Sequence, residues 1–291
     1  MKKVGRYLLT LVPVFLGLGI QLLCSYAGGA IYGGIYGAMA AMSGEAVSQA
    51  ELIDGYAGLI IYILIASQLI ALLVFGIWYR KQIKTKVRRS FLEIVHGKTV
   101  LWIGLLGIAL QIFTSLVLQA AYLFVPDAID NMSELLETAG VGELNLFSLA
   151  ATVILAPIAE EIIFRGVTMN LAKKAGASFI VANLIQAVLF GVYHVNLVQG
   201  TYAAIVGLVL GYAAHKYGSL YPTVLLHLAY NLAATLLSAA GEYLPDTVLN
   251  VVFLAVAAVV LCIPGVYLFK SDKKEAVQER EESQILQGEN L

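Results

Sequence analysis

Residues 146–167 read Leu-Phe-Ser-Leu-Ala-Ala-Thr-Val-Ile-Leu-Ala-Pro-Ile-Ala-Glu-Glu-Ile-Ile-Phe-Arg-Gly-Val. A helix of about 20 apolar residues crosses the hydrocarbon of a bilayer, and this run is long enough. It nevertheless carries Glu160, Glu161 and Arg165 at its heart. An ionisable group in that position costs at least about 2.5 kcal/mol, so it marks function by default. The stretch therefore fixes the solvent of the fold and points to a polar site inside it.

The rest of the chain agrees. It has 291 residues, of which 60% are hydrophobic and only 13% charged, a balance no soluble globule carries. Apolar runs at 7–42, 56–79, 99–124, 147–172, 177–195, 200–216, 219–240 and 248–269 predict an all-α polytopic membrane protein of about eight transmembrane helices. Under that order every lysine and arginine except Arg165 falls on one side: Lys2 to Arg6, Arg80 to Lys98, Lys173, Lys174, Lys216 and the tail. The other side carries acids alone, among them Glu45, Glu51, Asp54, Asp127, Asp130, Glu134, Glu137, Glu143, Glu242 and Asp246. The positive-inside rule then places both termini in the cytoplasm, N-in and C-in.

Four regions follow: helices one to three with a basic cytoplasmic loop (1–146), a helical core (147–240), a last transmembrane helix (241–269) and a charged cytoplasmic tail (270–291). The first apolar run continues to Met42 with no clear Ala-x-Ala site after a short h-region, so it is read as a retained helix rather than a signal peptide. Its Gly29/Gly33/Gly37 spacing predicts close packing inside the bundle. The basic loop 80–98 is expected on the anionic inner leaflet, 125–146 is an acidic loop, and the tail is expected to fray. Cys24 and Cys262 lie in apolar runs and suggest neither a disulfide framework nor a zinc cluster.

Helix geometry divides the charged cluster. Glu161 and Arg165 are four apart and share a face, the acid N-terminal to the base, as in an ion pair locking the helix. Glu160 lies about 100° round the helix, away from Arg165. An acid without an intrahelical partner in low dielectric suits general acid/base work. Pro157 withdraws a backbone donor beside it and is expected to kink the helix. His194, one turn after Phe190, and His227, one turn before Asn231, supply partners from two other spans. His215 and His96 sit at a helix end and in the basic loop, and weigh less.

Glu160-Glu161-x-x-x-Arg165, Phe190-x-x-x-His194 and His227-x-x-x-Asn231 together resemble the three-motif signature of the CPBP intramembrane proteases. That family joins CAAX prenyl endopeptidases to the bacteriocin-processing and self-immunity Abi group. The resemblance covers roughly residues 147–240. It implies that Glu160 and His194 activate a water against a peptide bond. His227 and Asn231 would donate to the oxyanion, and Glu161 and Arg165 would hold the motif helix. No cofactor is firmly implied. Zinc is compatible with Glu160, His194 and His227 as three ligands and one open position, but a His-Glu-x-x-His helix is missing and a glutamate-activated water fits equally.

The expected partners are a membrane-anchored peptide or protein substrate and the lipid bilayer, with no nucleic acid; the sequence sets no oligomeric state. The short loops and simple charge bias suit a bacterial plasma membrane. Two rivals stand beside the protease: a non-catalytic bacteriocin self-immunity or scaffold protein, and a proton-coupled carrier, which would show matching broken halves. One difficulty is geometric. On straight helices Glu160 lies near mid-bilayer, His194 nearer the outer end of its span and His227 nearer the inner end of its own.

Overall fold

The computed structural model describes residues 3–44, 48–83, 90–241 and 248–288. Within them all regular structure is helical: α1 (Lys3–Leu8), α2 (Val12–Ser43), α3 (Gln49–Ala57), α4 (Ile60–Gln82), α5 (Phe91–Ile94), α6 (Gly97–Tyr122) and α7 (Pro126–Thr138). There follow α8 (Leu146–Lys174), α9 (Phe179–Tyr193), α10 (Leu197–Tyr217), α11 (Tyr221–Gly241) and α12 (Val248–Gly288). The chain is an all-α polytopic membrane protein. Among the described residues seven helices are long and apolar enough to cross a membrane. The predicted span 177–195 differs: it forms α9, of 15 residues. At 1.5 Å per residue that is about 22 Å, less than the ~30 Å hydrocarbon thickness.

The motif helix α8 is the centre of the molecule. From Ile163 to Met169 every residue is buried, so this stretch has no lipid face. On one side Val14 of α2 and Phe75 of α4 join Ala159, Ile163, Phe164 and Val167 in a core that also includes Phe190 of α9. A second core joins Trp102 of α6 to Leu210 of α10 and to Leu226 and Tyr230 of α11. Its rim is fixed by Lys216, whose Nζ donates to the Phe269 carbonyl and lies 3.6 Å from the centroid of the Phe269 ring. This explains how three charges survive in an apolar chain: they face protein, not lipid.

Three expectations are corrected, and the irregularity expected at Pro157 takes a specific form. Residues 125–146 are not a loop throughout, since Pro126 at the first helical turn starts the amphipathic α7, with Ile129 and Met132 buried. Gly33 and Gly37 do not pack, because a Cβ at either would meet nothing within 4 Å, and only Gly29 approaches a ring, that of Tyr56. The tail does not fray at residue 270: α12 continues to Gly288. Lys, Glu, Gln and Ala dominate that stretch without proline, a composition of strong helix formers. Finally, Pro157 is preceded by a π-helical segment, Leu149–Leu155. In the basic loop, Lys84, Lys86, Arg88 and Arg89 lie outside the described residues, as do Lys2, Glu45, Glu242 and Asp246.

Candidate active site

Inside α8 a second π segment, Ile162–Thr168, follows the glutamates, so they occupy a short α-helical stretch, Ala156–Glu161, between two wider turns. Such π segments are rare and concentrate at functional sites. The first is explained by proline. In this register the backbone N–H of residue 157 would bond Thr152, five residues back, just as that of Ala156 bonds Ala151. Pro157 has no N–H to give. Asn231 of α11 fills the gap: its Nδ2 donates to the Thr152 carbonyl at 2.8 Å. An unmet carbonyl in hydrocarbon is costly, so Pro157 and Asn231 act as one feature.

Glu161 and Arg165 form the expected pair at 2.7 Å, with both side chains fully buried. The pair extends further than the sequence suggests. His227 Nδ1 donates to the same Glu161 Oε1 at 2.9 Å, and Arg165 Nη2 donates to the Gly207 carbonyl at 3.1 Å. The guanidinium also sits 4.6 Å over the Phe190 ring. Gly207 leaves little room here, since a Cβ would lie 3.2 Å from Arg165 Nη2, from Phe190 Cδ1 and from the Ala187 backbone, and these would have to give by a few tenths of an ångström.

The Gly207 carbonyl receives a second donor, Gln186 Nε2 at 2.9 Å, and Gln186 in turn donates to Asn183 Oδ1 at 2.7 Å. Asn183 Nδ2 reaches the Leu208 carbonyl at 3.1 Å. Neither Asn183 nor Gln186 was singled out from the sequence. The signal was present: two amides three apart in an otherwise apolar 15-residue helix are intramembrane polar groups like the glutamates. Gln21 of α2 was missed in the same way. It donates to the Tyr193 hydroxyl at 3.0 Å, so the first long helix touches the site's edge.

Glu160 stands apart from this network, as helical geometry requires. Its side chain is 13% exposed, where Glu161 is sealed, and its Oε2 lies 3.6 Å from His227 Nε2. That is an ion-pair distance just beyond hydrogen-bond length. His227 therefore bridges both glutamates, one through each ring nitrogen, and Glu160 has beside it one of the two histidines expected as its partners.

His194 is the first residue past α9, and Nδ1–H donates to the Phe190 carbonyl at 2.8 Å. That bond leaves Nε2 as the basic nitrogen of the neutral ring. Phe190 separates the histidines, its ring edge-on to both, with centroids 4.8 Å from His194 and 5.9 Å from His227. The short α9 therefore ends at His194, with Phe190 between the two histidines. The chain then reverses through Val195, whose φ of 53° is a left-handed conformation costly for a β-branched residue. Asn196 caps α10 through Gln199 N at 2.9 Å. Gly191 and Gly200 let the two backbones touch below this turn, for a Cβ on Gly200 would come within 2.6 Å of the Gly191 carbonyl oxygen.

No hydrogen bond or ion pair joins His194 to Glu160 among the described residues. Nor does any group of three His, Cys, Asp or Glu side chains there take a metal-holding arrangement. Glu160, His194 and His227 consequently do not fit a three-ligand zinc site in this geometry.

Residues 142–233 match the family model described as Type II CAAX prenyl endopeptidase Rce1-like. All three motifs fall within the match, which supports the CPBP family assignment. At the family level it implies intramembrane CAAX-type protease activity. No curated protein and no solved structure matches the chain significantly.

Proposed function

We propose that the protein is an intramembrane endopeptidase that hydrolyses a peptide bond of a membrane-associated peptide or protein, with Glu160 as the base. The observation that carries this reading is the division of labour between the glutamates. Glu161 is sealed and held by both Arg165 and His227, whereas the neighbouring Glu160 side chain stays partly exposed. A partly exposed carboxylate beside an imidazole is placed to act as a base toward a water that reaches it.

Glu160 removes a proton from water, helped by the basic Nε2 of His194, and the resulting hydroxide attacks the scissile carbonyl. His227, oriented by Glu161, carries Nε2 toward the same space, and as an imidazolium it donates there to the oxyanion. Asn231 uses one amide hydrogen on Thr152 and has the second to offer. Collapse of the tetrahedral intermediate returns the proton from Glu160 to the leaving amine. The water is activated by protein groups alone. In this reading the basic ends of the helices face the cytoplasm, by the positive-inside rule, and the short loops and simple charge bias suit a bacterial plasma membrane.

The test is reconstitution of the full chain in vesicles with membrane-anchored peptides. Glu160→Gln and His194→Ala should each lower the single-turnover cleavage rate about 10²–10⁴-fold, the usual range for a lost acid/base. Wild-type rates in both substitutions would remove these residues from the chemistry. Loss of activity with a chelator, restored by zinc, would replace the metal-free mechanism. Protection against a toxin without any cleavage, retained in Glu160→Gln, would favour the immunity reading.

A further inference from the structure

A cavity of about 850 Å³ lies behind the site, between the C-terminal end of α4, the face of α8 opposite its core contacts, and the junction of α10 with α11. Its size falls within the roughly 300–1,000 Å³ of ligand sites. Ile158 and Ile162 of α8 form its floor, and Arg165 closes its inner wall. Leu73 and Ile77 of α4 flank it and are themselves 65% and 48% exposed, so on that side the cavity continues into the lipid-facing surface.

Its charge has one sign. Arg80, Lys173 and His215 line it at the basic end of the bundle, and no Asp or Glu does. Its walls are helical except at Ile83 and the Gly218–Leu220 turn, where the Leu220 carbonyl already accepts from Val224 N and Thr223 Oγ1 and Tyr221 N donates to Ser219 Oγ, so an extended peptide finds few main-chain partners there. Acyl chains need none. Basic pockets between transmembrane helices near the membrane surface hold anionic headgroups.

We infer that this cavity binds one anionic phospholipid, its headgroup between Arg80 and Lys173 and its chains along Leu73 and Ile77. The inference does not depend on the catalytic roles given to Glu160 and His194. The bound lipid would lie against Arg165 on the side away from Glu161, so the occupant of the cavity touches the ion pair that anchors the motif helix.

The experiment uses the full-length chain in detergent, offered equal amounts of phosphatidylglycerol and phosphatidylcholine, washed, and weighed with its retained lipid by native mass spectrometry. One phosphatidylglycerol per chain should survive washing in preference to phosphatidylcholine. Removing each charge with Arg80→Gln or Lys173→Gln should cut that preference about fivefold. Lys174→Gln with Lys270→Gln, exposed at the same end but outside the cavity, should leave it unchanged. Equal retention of both lipids, or equal loss in the cavity and control variants, would overturn the inference. So would displacement by an apolar peptide with a free C-terminal carboxylate but not by its amide, which would assign the cavity to peptide. Gel filtration and melting of each variant separate lost binding from lost fold.

Discussion

At the scale of single residues, Glu160 and Glu161 show how neighbours in sequence become opposites in chemistry. One peptide step turns a helix by about 100°, which is enough to put Glu161 into a sealed pair with Arg165 and Glu160 beside an accessible space. The two should separate in stability as well as in activity. Glu161→Gln leaves Arg165 charged, buried and without its counter-ion, and should cost about 3–5 kcal/mol of unfolding free energy. Glu160→Gln, which breaks no hydrogen bond, should cost under about 1 kcal/mol. Equilibrium unfolding in mixed micelles measures both, and equal losses would refute the division. Val195 offers a converse case. Its side chain is 79% exposed, so little packing is lost on truncation, and Val195→Gly should stabilise the chain by about 1 kcal/mol by relieving the left-handed φ. A lower melting temperature would show that the turn is not strained.

Among the elements, α8 and α9 depart most from their ideal forms, and both departures serve the site. Two π segments in α8 bracket the glutamates, and α9 stops where His194 is needed. The link between Pro157 and Asn231 can be tested by a double-mutant cycle. Asn231→Leu alone strands the Thr152 carbonyl and should cost about 1–2 kcal/mol. In a Pro157→Ala background the restored N–H can serve that carbonyl, and the same substitution should cost about 1 kcal/mol less. Additive effects would show that proline and asparagine are unrelated. The motif read from sequence as oxyanion machinery therefore has a second duty, to complete the backbone of a helix that proline interrupts. Nothing in the spacing His227-x-x-x-Asn231 announces that duty, because the partner carbonyl is on another helix.

For the whole molecule, the separation of charge is the feature that organises the rest. Arg80, Lys173 and His215 line one cavity, and Lys216 grips Phe269 nearby, so the basic ends of α4, α8, α10 and the apolar part of α12 do gather at one end. The proposed topology follows from placing that end in the cytoplasm. Alkylation of single cysteines in intact cells should label Asp130→Cys from outside and Lys98→Cys only after permeabilisation. The reverse pattern would invert the protein.

Composition and charge alone determined the class of fold. An apolar chain with its basic residues confined to alternate loops has few alternatives to a helical bundle in lipid, where each backbone must satisfy itself. The short-range pattern determined the Glu161–Arg165 pair and set Glu160 apart, since both follow from the helical repeat within one segment. The tertiary structure alone decided which groups meet across segments: His227 on both glutamates, Arg165 and Gln186 on one carbonyl of α10, Asn231 on Thr152. It also ended α9 early, with His194 as its first following residue. Those contacts depend on tilt, helix length and a change of register to π, properties fixed by packing between helices and not written in the spacing of residues along any one of them.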